Sequence, residues 1–389
     1  MRERLSKAYK YRLNPTNQQR VKIAQFAGCA RYAYNYALAQ IKNALDKKEK
    51  IPNYIDAANL LPFLKIAKET EFLADAPAQV LQQALKDLYL SMADWFRKLK
   101  PGKKRRVPRY RLRGKNDTFK YPQHIKCEGS KIWLPKIGWV KYRNSRPIPG
   151  VIKQAVIYKK GKHWYVTIFF VEEVDITPVA IVDEEAIGLD VGISCYVATS
   201  DGNKVDNPKY LHALLRKLRY LYRALSRKKK FSSNWKKCVA KIQQLHSRIS
   251  NLRNDFLHKL STEIAKNHGV VSVEDLNIKG MMKNKKLSRA IADAGWGKFL
   301  LFLQYKCAWT GKHFVKIDRW FASSQLCSSC GNKQAMPLHK RVYDCEICDL
   351  VEDRDINASV NIRSAGLSAL KVCGEIANRQ LSEAGIAGF

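Results

Sequence analysis

Four cysteines toward the C-terminal end constrain the fold most. Cys327 and Cys330 form one Cys-x-x-Cys pair, Cys345 and Cys348 form another, and 14 residues separate the two. Two such knuckles bring four thiolates to tetrahedral spacing, the donor set of a closed structural Zn²⁺ site. The metal would fold a segment too short and too polar to bury a core alone. Just beyond it, Asp353-Arg354-Asp355-Ile356-Asn357-Ala358 places acids at the start of a helical pattern. A closed metal site therefore runs into a carboxylate suited to an open one.

Charge narrows the partners. The 389 residues carry 71 Lys and Arg against 34 Asp and Glu, a net charge of +37. Such an excess repels itself and calls for a polyanion. The basic residues are interleaved with Trp and Tyr, and no lipidation motif or amphipathic anchor appears, so nucleic acid is favoured over a membrane surface. No apolar run reaches the ~18–20 residues of a membrane span, and MRERLSKAYKYRL lacks a signal-peptide core. The other cysteines (Cys29, Cys127, Cys195, Cys238, Cys307 and Cys373) are scattered, as in a cytoplasmic protein rather than a disulfide framework.

Residues 4–13 alternate as a strand, and Asn14-Pro15-Thr16 stops it and starts a helix from Gln18 to about Leu45. A second helical pattern runs from Ala78 to Leu99. Residues 97–120 hold twelve Lys and Arg against one Asp. This strip, with Lys103, Lys104, Arg105 and Arg106 at its centre, reads as a phosphate contact, with Tyr110, Phe119 and Tyr121 available to stack on bases. Strands follow across 131–171, with a hairpin loop at Lys159-Lys160-Gly161-Lys162. Together with the first strand they predict a small β-barrel or sandwich split by a helical insertion.

A new pattern begins at Ala186. The run from Ile187 to Ile193 is apolar except for Asp190, a costly position unless backbone N–H groups at a bulge or a cation satisfy it. Residues 201–260 hold sixteen Lys and Arg and three Asp. Their apolar periodicity predicts two antiparallel helices joined by a basic tip at Arg227, Lys228, Lys229 and Lys230, read as a nucleic-acid contact. Val270 to Leu276 is a short strand delivering Glu274, residues 313–318 form another, and a helix from Asp355 runs through Ile362. The last twenty-odd residues are weakly patterned and read as a loosely held tail. Asp190, Glu274 and Asp355 thus come from three separate elements. Such acids can hold two Mg²⁺ ions ~4 Å apart, which activate water and stabilise the leaving oxygen of a phosphodiester.

Several strings now converge. Ile187 to Ile193, VVSVEDLNIKGM (270–281), DRWF (318–321), CSSCG (327–331) and DRDINAS (353–359) resemble TnpB proteins of bacterial insertion sequences, compact relatives of type V CRISPR effectors. YKYRLNPT (9–16), ARYAYNYAL (30–38), FLHKLS (256–261) and IADAGWG (291–297) extend the resemblance over nearly the whole chain before the tail.

The resemblance implies an α+β multidomain chain. Its RuvC-like, RNase H-fold nuclease domain would occupy 179–320 and 351–372, with a basic helical pair at 207–266 and an inserted four-Cys zinc ribbon at 321–350. A β-barrel wedge domain (1–14 and 105–178) would be interrupted by an α-helical recognition domain (15–104), and 373–389 would be a flexible tail. The implied activity is RNA-guided, metal-dependent cleavage of double-stranded target DNA beside a short motif. A guide RNA from the transposon end would bind one protein monomer, and Asp190, Glu274 and Asp355 would be catalytic. A nuclease-inactive RNA-guided DNA-binding regulator and a strand-transfer transposase are the alternatives, and the presence of all three acids speaks for the nuclease. The chain departs from the family pattern at Asp349, where Gly is usual, and at Glu352, where His is common.

Overall fold

In the computed structural model, Asn14-Pro15-Thr16 separates strand β1 (Arg2–Asn14) from helix α1 (Asn17–Lys47). The Thr16 hydroxyl accepts from the Gln19 N–H while the Gln19 side chain accepts from the Thr16 N–H, so two donors left open by the first turn are satisfied reciprocally. The structure describes residues 2–97, 107–115, 117–337 and 339–386, so Lys103, Lys104, Arg105 and Arg106 lie outside the described residues. The chain divides into two units, Arg2–Val174 and Asp175–Phe389.

The first unit adds helices α2 (Tyr54–Asn59), α3 (Leu61–Ile66) and α4 (Ala78–Arg97) to strands β2 (Thr118–Tyr121), β3 (Lys126–Glu128), β4 (Lys131–Leu134), β5 (Gly138–Tyr142), β6 (Val151–Lys160) and β7 (His163–Asp175). The sheet order is β2-β6-β7-β1-β5-β4-β3. Phe119 and Tyr121 from β2 and Ile132 and Leu134 from β4 meet in one core although they come from opposite sides of that order, and the Tyr121 hydroxyl donates to the Pro135 carbonyl at 2.9 Å. The sheet therefore curls around its contents. Ile23, Phe26, Leu38 and Ile41 of α1 and Val80, Leu81, Leu85 and Leu88 of α4 join the same core. The segments expected as separate wedge and recognition domains share this interior.

Two expectations are corrected here. Phe119 and Tyr121 are 3% and 0% exposed, so neither is available to stack on a base. Their spacing of two turns both inward from β2, a strand signal hidden inside a basic run. Part of that run is also neutralised within the fold, since Arg111 and Lys120 both pair with Asp87. Tyr110 does stay exposed, with Lys42 Nζ 3.9 Å from its ring centre.

The second unit is built on β8 (Ala186–Val191), β9 (Cys195–Thr199), β10 (Lys204–Asp206), β11 (Val270–Glu274) and β12 (His313–Ile317). Their order is β10-β9-β8-β11-β12, with β8, β9 and β10 antiparallel and β8, β11 and β12 parallel. Helices α5 (Tyr210–Ser226) and α6 (Ser233–Asn267) fold back on one another around Leu218, Cys238, Ile242, Leu245 and Ile249. After β11 come α7 (Ile278–Met281), α8 (Ser288–Ala294) and α9 (Trp296–Trp309). Leu257, Leu260 and Ile264 of α6 and Phe299 and Leu303 of α9 cover one face of the sheet, against Ile187, Leu189, Val271 and Val273. Helix α10 (Arg354–Ile386) lies on the other face, and the hairpin β13 (Val342–Asp344) with β14 (Val351–Asp353) precedes it. Among the described residues no helix is long and apolar enough to cross a membrane.

Two boundaries differ from the sequence reading. The helix expected to run through Ile362 continues to Ile386. The β13–β14 hairpin spans the boundary expected at 350, since Val342 pairs with Asp353.

Candidate active site

The parallel register of β8 and β11 assembles the first two acids. Val273 pairs with Leu189, so the next step along both strands sets Glu274 level with Asp190, about 5 Å across the sheet. The period of two that turns Leu189 toward α9 turns Asp190 toward α10. Helix α10 approaches closely because two contacts lack a side chain. A Cβ on Gly188 would overlap the Ser359 carbonyl and the Arg363 backbone nitrogen, and a Cβ on Gly366 would overlap the Ser272 hydroxyl. The start of α10 is fixed by Asp353, whose Oδ1 accepts from the Asp355 N–H at 2.9 Å and the Ile356 N–H at 3.3 Å. Its Oδ2 pairs with Lys204 Nζ at 2.6 Å. Burial opposes ionisation of Asp353, yet Lys204 and the two N–H groups hold its carboxyl below the usual range. Asp355 follows in the first turn, where the helix dipole favours negative charge.

These placements couple the three acids. Burial pushes Asp190 up to about 7, and the carboxylates of Glu274 and then Asp355 push it in the same direction, with Arg354 opposing. Among the described residues no N–H or O–H group donates to the Asp190 carboxylate. The bulge reading therefore lacks its donors. Asp190, Asp355, Arg354, Arg341, Trp296 and Lys209 line a cavity of about 640 Å³. A second cavity of about 370 Å³ shares Ile193 and Lys209 with it and gathers His212, Lys285, Lys286 and Arg289. Among the described residues none of these last three, nor Lys209, is in an ion pair.

The four cysteines come together as their spacing requires. Cys327 Sγ lies 3.5 Å from Cys348 Sγ and Cys330 Sγ 3.6 Å from Cys345 Sγ, and all four sulfurs are within 4.8 Å of one another. Zn–S bonds of ~2.3 Å in a tetrahedron separate sulfurs by ~3.8 Å, so the residues fit that ion. Asp349 has φ of 57°, in the left-handed region where glycine is least strained, so its position suits the Gly that the resemblance leads one to expect there.

Sequence reasoning missed the residues that brace these sites. Ser323 is buried, and its hydroxyl donates to Glu274 Oε1 at 2.5 Å. Asn357 and Asn361 are buried on α10 and bond the segment leading into Cys327. The available signal was two amides at helical spacing on an otherwise apolar face. Of the predicted basic tip, Arg227, Lys229 and Lys230 are exposed and Lys228 is half-buried, between α5 and α6 and outside both cavities.

Comparison with known proteins gives this geometry its relatives. Residues 169–285 match a family model described as a probable transposase, and residues 296–362 match the Cas12f1-like TNB domain. The chain is 37% identical to "Putative RNA-guided DNA endonuclease InsQ" of Escherichia coli (strain K12), over 95% of this chain and 94% of that protein. The chain belongs to the TnpB family. A Streptomyces pristinaespiralis protein described as "Putative RNA-guided DNA endonuclease" is also 37% identical, over 96% of this TnpB-family chain and 92% of that one. The fold resembles the protein in "Cryo-EM structure of the Cas12f1-sgRNA-target DNA complex", with a TM-score of 0.53 at 14% identity, covering 92% of this chain and 99% of that one. Residues 1–50 match a model described as a helix-turn-helix domain, but residues 2–47 of this TnpB relative form one strand and one uninterrupted helix, broken only by the Pro15 turn.

Proposed function

We propose that this protein is an RNA-guided DNA endonuclease whose catalytic residues are Asp190, Glu274 and Asp355. The observation that carries the proposal is the convergence of acids from β8, β11 and α10: Glu274 lies one strand across from Asp190, and Asp190 and Asp355 line one cavity. The sheet order, three antiparallel strands followed by two parallel ones, supports reading 179–320 and 351–372 as a RuvC-like, RNase H-fold nuclease. The sulfur geometry supports a structural Zn²⁺ in the ribbon. The three carboxylates suit a pair of Mg²⁺ ions, which would supply an activated water and stabilise the leaving oxygen of a phosphodiester. Among the described residues only the cysteines draw their ligand atoms within 4.8 Å of one another, so the three carboxylates would have to close on the ions they hold.

The chain's own side chains do the rest. Arg341 and Arg354 line the acidic cavity and hold phosphate oxygens there, offsetting the repulsion between the acids and a polyanion. Lys209, Lys285, Lys286 and Arg289 extend this cationic lining along the neighbouring cavity. Asp190, held above the usual carboxylate range by burial and by Glu274 and Asp355, would give up its proton to serve as a cation ligand. Arg227, Lys228, Lys229 and Lys230, with the strip Lys103 to Arg106, contact nucleic-acid phosphates. Segments 1–14 and 105–178 (wedge) and 15–104 (recognition) serve the guide RNA and the target-adjacent motif, with one protein on one RNA. The Cas12f1 structure, a complex with its RNA and target DNA by its own description, supports these partners.

The test uses the protein with the RNA encoded next to its gene, Mg²⁺, and a plasmid library carrying the guide's target beside a randomised flank. Enrichment of cut molecules with one flank is expected. RNA binding and target binding without cutting would replace this reading with the inactive regulator.

A further inference from the structure

The ribbon and the carboxylate site meet in one short segment, residues 323–328. The Ser323 hydroxyl donates to Glu274 Oε1 at 2.5 Å, and the Ser323 carbonyl accepts from Asn361 Nδ2 at 2.9 Å. The Leu326 carbonyl accepts from Asn361 Nδ2 and Asn357 Nδ2, both at 2.7 Å. The Ser328 N–H donates to Asn357 Oδ1 at 2.9 Å. Between these anchors lies Cys327, a thiolate of the first knuckle. Asn357 and Asn361 stand one turn apart on α10, beyond Asp355, and are 0% and 8% exposed.

This is not how a tethered accessory module is attached. A flexible linker would leave its carbonyls to water, whereas here buried amides, costly to place in a core without partners, are committed to them. The approach from β12 is equally fixed. Arg319 pairs with Asp275, the Trp320 N–H donates to Asp318 Oδ1 at 2.7 Å, and the Gln325 N–H donates to the Ala322 carbonyl at 2.9 Å. Glu274 is the last residue of β11, where the strand pairs with Ile317 of β12. Among the described residues it is the one carboxylate of the three that receives a side-chain hydrogen bond. A hydroxyl proton on Oε1 fixes the carboxylate's rotation and leaves Oε2 to face a cation, the role that donors behind metal ligands commonly play.

We infer that Ser323 is a positioning residue for Glu274, and that Asn357 and Asn361 make its placement depend on a folded ribbon. Loss of the ribbon metal loosens residues 323–328 and, through Ser323, the carboxylate site. This inference rests on the three-carboxylate reading above.

The test measures Mn²⁺ binding to the zinc-loaded full chain by electron paramagnetic resonance, without Mg²⁺, and follows zinc content and guide-RNA affinity alongside. Ser323→Ala should weaken Mn²⁺ binding by about tenfold, with zinc content and RNA affinity unchanged, and Ser323→Thr should restore it. Cys345→Ser, in the other knuckle, should lose zinc and weaken Mn²⁺ binding. In combination with Ser323→Ala it should add little, because both act through one link. Mn²⁺ binding by Ser323→Ala equal to the parent would overturn the positioning role, and independent, additive losses would overturn the coupling to the ribbon. Asp190→Ala separates the two levels. If it abolishes Mn²⁺ binding while Ser323→Ala does not weaken it, the inference alone fails; if it leaves Mn²⁺ binding intact, the carboxylate reading fails with it.

Discussion

Replacing Asp190 by Asn should stabilise the protein while destroying its site. Burial and then the Glu274 and Asp355 carboxylates raise Asp190 to about 7 from an ordinary 3.8. A gap of about three pH units, at ~1.4 kcal/mol each, sets a ceiling of ~4 kcal/mol on the cost of ionising it in the fold. Water entering the cavity screens part of that, so ~1–3 kcal/mol is expected. The sign follows from proton linkage. Between pH 3.8 and about 7 the folded chain holds a proton that the unfolded chain releases, so this group's contribution to stability falls as pH rises through that window and levels off above it. Urea unfolding in magnesium-free buffer, with no strong chelator so that the ribbon keeps its metal, should find Asp190→Asn more stable than the parent at pH 8. The margin should be smaller at pH 5. Added Mg²⁺ should raise the parent's stability and leave the variant's unchanged. A variant no more stable at pH 8, or a margin independent of pH, would refute the claim that Asp190 sits uncompensated among like charges.

Other perturbations probe the supports. Gly188→Ala drives a Cβ into the Ser359 carbonyl and should cost ~2–3 kcal/mol in urea unfolding while abolishing DNA cleavage, since it lifts α10 from β8. Tyr121→Ala should cost ~3–5 kcal/mol as a core truncation, and Tyr121→Phe about 1 kcal/mol for the donor lost to Pro135; a base-stacking residue would instead weaken RNA binding at constant stability. Replacing Arg227, Lys228, Lys229 and Lys230 together by Gln should lower the salt dependence of guide-RNA binding, read by fluorescence anisotropy across KCl concentrations, by about three in the log–log slope.

What could be read from the sequence were the features that pattern alone exposes. Asp190 and Glu274 are acids in apolar runs, Asp355 opens a helix, and the cysteine spacing is a ligand set by itself. The strand order that joins these acids was not legible in periodicity and came only with the family resemblance. Ser323 was invisible and Asn357 and Asn361 gave only their helical spacing, because a serine in a loop and two amides on a helix acquire their role from what the fold places opposite them. The run around Asp190 was open to a bulge, whereas Gly188 within it makes room for the backbone of α10. Phe119 and Tyr121 show the opposite failure: high local charge hid a two-residue alternation, and the aromatic rings went to the core.

The central claim is that one site made of Asp190, Glu274 and Asp355 cuts DNA under RNA guidance. The most direct measurement is Mg²⁺-dependent cleavage of a matched target by the protein–RNA complex and by Asp190→Ala, Glu274→Ala and Asp355→Ala, each first shown to retain zinc and guide RNA. Each variant should cut at least about a thousandfold more slowly than the parent. Any of the three cutting at the parental rate would contradict the account.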